Sequence, residues 1–243
     1  MLSAQHFYHV FWKGLDWLFP PNCAGCGREG FRWCPDCQGV TKVVSLPVCD
    51  VCGLPRTSTG VCRSCQSSTP AFRSLRSWAV YEGPLQLAMR QLKYHRNMAL
   101  AESLAQSLSE YSTDLGWKVD LVIPVPLGME RSKERGYNQA SLLAFPLAVR
   151  NGWRYAPRGL IRIRETSSQV KLSSIQRLDN VHGAFLARPQ IVKGRNILII
   201  DDVATTGATL SSCAEALLQG GANVVYALTL ARAIPQRGVV NRS

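Results

Sequence analysis

Long hydrophobic runs are missing from this chain of 243 residues. No apolar stretch approaches the roughly 20 residues that span a bilayer, so no transmembrane helix is expected. A secretory leader is not expected either. Phe7, Val10, Phe11, Leu15 and Leu18 recur at helical spacing, but Lys13 and Asp16 interrupt them. No basic stretch precedes them and no small-x-small cleavage site follows. Residues 1–20 therefore read as a short amphipathic helix that packs on what comes next, and the chain reads as cytoplasmic. No Gly-x4-Gly-Lys-Ser/Thr run exists, which excludes a P-loop ATPase. Histidine is scarce: His6, His9, His95 and His182 show no motif spacing and receive no catalytic role. Charged residues make up only 18%, so long disordered tails are not expected. Acid is the rarer sign, with 16 Asp and Glu against 28 Lys and Arg. The net charge of +12 divides into +2 over residues 1–70 and +10 over residues 71–243. That asymmetry favours polyanions or phosphorylated ligands, with solubility as the plainer reading.

Cysteine, by contrast, is abundant. Eight of the nine cysteines form four Cys-x2-Cys pairs: Cys23/Cys26, Cys34/Cys37, Cys49/Cys52 and Cys62/Cys65. The first two pairs and the last two form an internal repeat, each opening Cys-x2-Cys-Gly and closing Cys-x2-Cys-Gln. Two such turns give four thiolates around one structural zinc. Disulfides are the rival, but a reducing cytosol favours thiolate and metal. Two zinc ions are expected, each closed within its own repeat in preference to crossed pairing. The segment has too few apolar residues for a core, so metal must supply much of its folding energy. The ninth cysteine, Cys213, reads as a small core residue.

The densest signal is Ile197-Leu198-Ile199-Ile200-Asp201-Asp202-Val203-Ala204-Thr205-Thr206-Gly207-Ala208-Thr209. The four apolar residues predict a strand buried on both faces of a parallel sheet. The small, hydroxyl-rich loop leads into a helix whose positive end favours an anion. A phosphate is expected on Ala204, Thr205, Thr206, Gly207, Ala208 and Thr209. Asp201 and Asp202 are then placed to accept hydrogen bonds from vicinal hydroxyls. Phosphate plus two ribose hydroxyls points to a 5-phosphoribosyl group. The segment resembles the phosphoribosyl-diphosphate (PRPP) motif of type I phosphoribosyltransferases, with Mg²⁺ as the companion of that ligand.

The rest of the chain reads as α/β. Residues 66–70 look like a linker, and Trp78-Ala79-Val80-Tyr81 like a strand. Residues 85–108 look like a helix broken near 95–97. Leu121-Val122-Ile123 looks like a strand stopped by Pro124, and residues 141–149 like a helix kinked at Pro146. Strand 197–200, helix 209–219 and strand 224–230 form a βαβ unit, with ligands beyond the carboxyl ends of the strands. Two further segments carry phosphate-type ligands. Arg131 and Arg135 lie four apart and suit pyrophosphate or DNA phosphates, or else form a solvated basic turn beside Glu130 and Glu134. Residues 162–185 include Arg162, Arg164, Thr166, Gln169, Lys171, Arg177 and Asn180, and suggest a mobile loop over the site. Trp153, Tyr155, Tyr94 and Tyr137 lie near basic residues, a mixture that suits single-stranded nucleic acid; core packing is the alternative for Trp153 and Tyr155.

These pieces together resemble the ComF/GntX proteins of bacterial DNA uptake and DNA utilisation. The resemblance runs from about residue 19 to residue 232. It rests on Pro20-Pro21-Asn22-Cys23, Leu92-Lys93-Tyr94, Pro124-x-Pro126 and Arg131-x3-Arg135-Gly136-Tyr137-Asn138-Gln139. It continues through Arg164-x-Thr166-x2-Gln169-x2-Leu172, Arg177-x2-Asn180-Val181, Ala184-Phe185 and Asp201 to Thr209. Tyr137 stands where the family often has Phe. The resemblance implies a type I phosphoribosyltransferase-like parallel sheet with flanking helices, over residues 71–243. It implies a small N-terminal double zinc ribbon over residues 21–70. It also implies a role in DNA uptake or utilisation, with single-stranded DNA and a helicase or recombination protein as partners. Peripheral contact at the inner membrane is a minority alternative. Pyrophosphate or DNA phosphate is expected on Arg131, Arg135, Arg164 and Arg177. An active phosphoribosyltransferase of nucleotide metabolism is the alternative function.

Overall fold

The computed structural model describes residues 20–94, 97, 99–164 and 183–234. The expected N-terminal helix, Arg177 and most of the loop over the site lie outside the described residues. Five parallel strands form the central sheet: β1 (Ser74–Val80), β2 (Leu121–Pro124), β3 (Arg154–Tyr155), β6 (Asn196–Ala204) and β7 (Val224–Arg232). Their order is β1-β7-β6-β2-β3. The apolar runs 121–123 and 197–200 are fully buried, as the two-sided burial of a parallel strand requires.

The helices are α1 (Pro35–Gly39), α2 (Arg63–Ser67), α3 (Gly83–Tyr94), α4 (Leu100–Thr113), α5 (Met129–Arg135), α6 (Gln139–Asn151), α7 (Pro189–Val192) and α8 (Ala208–Gln219). α3 ends at Tyr94 and α4 begins at Leu100, the expected break falling largely on residues outside the described ones, and α6 runs through Pro146. One buried cluster sets α3, α4 and α6 against one face of the sheet; the other sets α8 against the opposite face. Cys213 is fully buried in the second cluster, as a core residue should be.

Two expectations are refined. The linker expected at residues 66–70 is tied down at several points. Ser67 still belongs to α2, the Thr69 hydroxyl donates to Cys65 O, and Ala71 N donates to Ser211 Oγ. Residues 162–185 are not loop throughout, because their ends extend an antiparallel ladder between β4 (Leu160–Arg162) and β5 (Phe185–Ala187).

The cysteine segment does lack its own core, and it borrows one. Cys23, Ala24, Trp33, Cys34 and Cys37 join the cluster built by Leu85, Ala88 and Met89. The segment also covers the outer edge of β1. Val44 N donates to Trp78 O, Val80 N to Lys42 O, and Leu75 N to Val51 O. An unpaired strand edge invites association, and here the edge is taken. The approach is close at Gly53, where φ is +67° and a Cβ would lie 2.4 Å from Leu75 O. Gly53→Ala is therefore expected to destabilise the fold by about 1–3 kcal/mol in thermal melts. An unchanged melting temperature would show that this joint yields freely.

Candidate functional site

Chain topology opens a crevice beside β6. Its neighbour β7 lies on one side and β2 on the other, so the segments leaving β2 and β6 diverge. A cleft of about 340 Å³ lies there, lined by residues 125–127, Arg131, Arg135, Asn138 to Ala140 and the run 201–210. Both sequence signals thus reach one cavity. The two acids sit within β6 and not at its end, because pairing with β7 continues through Asp201 opposite Thr229 to Ala204 opposite Arg232. Gly207 then takes φ +83° ahead of α8, a left-handed turn that favours glycine. The Thr206 hydroxyl accepts from Ala208 N at 3.3 Å. The amides of the first helical turn lack intrahelical acceptors and suit an anion.

The acids differ in setting. Asp201 Oδ1 accepts from Asp202 N at 2.8 Å, and Asp202 Oδ1 from Val203 N at 2.7 Å. Burial, and then the neighbouring Asp202 charge, push Asp201 up to about 7. Lys93 Nζ lies 2.8 Å from Asp202 Oδ2. Burial opposes the charge on Lys93, but Asp202, joined by Tyr81 and Asp201, raises the lysine above its ordinary value.

The Arg131–Gln139 motif divides its labour. Arg131 and Arg135 line the cleft. Arg135 Nη1 donates to Gln139 Oε1 at 2.9 Å, and its guanidinium lies 5.4 Å from the centre of the Tyr94 ring. Asn138 caps α6 by accepting from Ala140 N, and it donates to Val125 O. The Tyr137 hydroxyl donates to Leu92 O at 2.6 Å, tying the motif to the turn that carries Lys93. Arg131, Arg135, Asn138 and Gln139 all line the cavity, and the bonds made by Tyr137, Asn138 and Gln139 also hold the motif in place.

Arg164 does not line the cleft. The β4 strand ends at Arg162, and it is Arg162 that reaches the cavity, with its guanidinium 5.6 Å from the centre of the Phe185 ring. Lys93 has no site role on sequence grounds, and Arg162 is marked there only as one of the basic residues of the 162–185 segment. Leu92-Lys93-Tyr94 at the end of a helical pattern was the available signal. Trp153 and Tyr155 pack against the core and not as a stacking platform, and Tyr155 meets Phe145 edge to face.

The remaining eight cysteines form two quartets, Cys23/Cys26/Cys34/Cys37 and Cys49/Cys52/Cys62/Cys65, with the sulfurs of each within 4.8 Å of one another. Pairing is sequential. Sulfurs tetrahedral about a zinc at ~2.3 Å stand ~3.8 Å apart. The Cys23–Cys37, Cys26–Cys34 and Cys52–Cys62 separations are 3.7 Å. Four crowded thiols cannot all ionise without a cation between them. Burial works to raise Cys23 and Cys49, yet backbone amides, among them those of Cys34 and Cys62, hold both down to about 6. Burial and neighbouring sulfurs push Cys37 and Cys65 far up. The donor set fits two structural zinc ions.

Residues 14–66 match the double zinc ribbon domain family, and residues 90–241 match the phosphoribosyl transferase domain family. The molecule is thus a phosphoribosyltransferase-fold protein carrying an N-terminal double zinc ribbon. It is 36% identical to the DNA utilization protein YhgH of Salmonella typhimurium, over 91% of this chain and 98% of that protein. It is 28% identical to the competence protein ComFC of Bacillus subtilis, over 96% of this chain and 93% of that one. The chain belongs to the ComF/GntX family. Among solved structures, a glutamine PRPP amidotransferase from B. subtilis aligns with a TM-score of 0.41 and 19% identity, over 58% of this chain and 30% of that chain. Among the described residues no helix is long and apolar enough to cross a membrane.

Proposed function

We propose that the cleft binds a phosphoribosyl diphosphate or related nucleotide, and that the protein serves DNA uptake or utilisation by handling single-stranded DNA. The observation that carries this reading is the convergence of Lys93, Arg131, Arg135 and Arg162 on the cavity that holds Asp201, Asp202 and the 204–209 loop. In this reading the 5-phosphate lies on the loop and α8 terminus, and the ribose hydroxyls bond Asp201 and Asp202. The diphosphate meets the arginines, whose planar forks suit it. Mg²⁺ accompanies the ligand, since carboxylate and phosphate oxygens are its preferred donors. Residues 21–70 act as the ribbon and 71–243 as the transferase-like unit. Exposed Phe31, Val40, Val43 and Leu46 on the ribbon offer apolar surface to a protein partner such as a helicase.

Calorimetric titration of PRPP with Mg²⁺ into zinc-loaded protein tests the cleft. Asp201→Ala/Asp202→Ala is expected to weaken binding at least roughly 100-fold, the worth of two charge-assisted hydrogen bonds. No heat with the intact protein would sink the ligand reading. The DNA reading is tested separately, since affinity for a single strand should fall steeply with salt as phosphate contacts release counterions.

A second reading, a PRPP-dependent transferase of nucleotide metabolism, draws support from an acid at the ribose edge that titrates near neutral pH. Catalysis would rest on positioning and electrostatic stabilisation of the leaving pyrophosphate. Pyrophosphate release in the presence of nucleobase acceptors would favour turnover; binding without release favours the first reading.

A further inference from the structure

Arg232, the last residue of β7, is 1% exposed, yet its Nε, Nη1 and Nη2 find no hydrogen-bond partner among the described residues. A guanidinium carries five donors and keeps its charge, so burying one without an anion is costly. Burial works against that charge. The groups that support it are the sulfurs of the second quartet, Cys52 and Cys65 ahead of Cys49 and Cys62. The fold explains the proximity. Val80 lies opposite Arg232 across the β1–β7 ladder. Val80 also packs with Val44 and with Val48, the residue before Cys49. The two metal centres differ in enclosure. The first has an exposed Cys26 and Arg28 at its surface. In the second, Cys49, Cys52 and Cys65 are buried and Cys62 is half-buried. Four thiolates outweigh the charge of Zn²⁺ and leave the centre anionic. An anionic centre with little access to water needs a cation inside the protein.

We propose that Arg232 is the buried counter-charge of the second four-cysteine zinc centre, and that it ties occupancy of that centre to the strand end that frames the cleft. Its backbone makes the second link. Arg232 O accepts from Tyr81 N at 2.8 Å, and Ala233 N donates to Ala204 O at 2.9 Å. Tyr81, Ala204 and Ala233 all line the cleft. One residue thus links metal centre and cleft: its cross-strand neighbour Val80 packs on Val48 beside Cys49, and its main chain is bonded at the cleft.

The test uses the full-length zinc-loaded protein challenged with a chelator, followed by alkylation and mass spectrometry of the cysteine peptides. Arg232→Met is expected to expose the 49–65 quartet roughly tenfold faster or more, the range seen when partners of metal ligands are removed. The 23–37 quartet should keep its rate, and Arg232→Lys should fall between. Equal rates in Arg232→Met and the parent protein would overturn the proposal, as would equal acceleration of both quartets. A second measurement separates charge from packing. Arg232→Lys keeps the charge and Arg232→Met keeps bulk without it, so in the zinc-loaded protein the methionine should lower the melting temperature more than the lysine. An equal or larger loss with lysine would overturn the proposal.

Discussion

Stripping both zinc ions is expected to unfold the ribbon and lay bare the outer edge of β1. Each structural zinc carries on the order of 10–16 kcal/mol of binding free energy at neutral pH, and that energy is folding energy where no core stands in for it. Here the cysteines are themselves part of the core: Cys23, Cys34 and Cys37 pack in one cluster with Trp33, Trp78 and Met89. Loss of metal should therefore flatten the near-UV signal of Trp33 and Trp78 and open residues 20–70 to protease. It should also promote self-association, because Leu75 N, Val80 N and Trp78 O lose the partners they now find in residues 42–51. Circular dichroism, limited proteolysis and size-exclusion chromatography of chelated protein are the measurements. Retained near-UV signal with a monodisperse profile would refute the prediction.

Replacing Asp201 by asparagine should stabilise the empty protein at pH 8 while weakening it as a receptor for ribose hydroxyls. The carboxyl titrates near 7 in the fold, against 3.8 ordinarily. A carboxyl raised in this way supports stability below about pH 4, and that support is lost as pH climbs towards 7. Above 7 the fold holds a carboxylate that burial and Asp202 both disfavour. Asp201→Asn removes the titration, so the difference in stability between variant and parent should grow from pH 4 to 7 and then level off. Its plateau should amount to a few kcal/mol in the variant's favour. Thermal melts across that range check the slope, and PRPP titration checks the binding. Parallel pH profiles would mean that Asp201 is not the group that titrates.

Much of this is legible in the residues because local chemistry dictates it. The run 197–200 reads as a two-sided buried strand and is one, and the glycine of Thr-Gly-x-Thr makes the tight turn into the helix that its spacing suggests. Cys-x2-Cys repeats fix their own partners. What the residues alone leave unread depends on long-range packing. Arg162 reaches the cleft and Arg164 does not because a ladder to β5 ends between them, and nothing local announces that ladder. Lys93 finds Asp202 across more than a hundred residues of chain. Nothing in the sequence announces that Tyr137, Asn138 and Gln139 frame the motif through hydrogen bonds to Leu92, Val125 and Arg135, with Asn138 and Gln139 lining the cleft as well. Residues 66–70 read as a linker because Ser and Thr are common in linkers, and two of those hydroxyls, on Ser67 and Thr69, tie it to the preceding helix.

The cover on β1 also bears on the order in which the protein is made. The ribbon leaves the ribosome before β1, whereas β7, the strand's other neighbour, is the last of the sheet to appear. A metal-loaded ribbon can therefore hold one flank of β1 through synthesis, when the nascent chain is most open to pairing with its neighbours. Zinc supply during translation, as well as in the finished protein, should then set the yield of soluble chain, and translation in a zinc-depleted extract with late zinc addition would measure the difference.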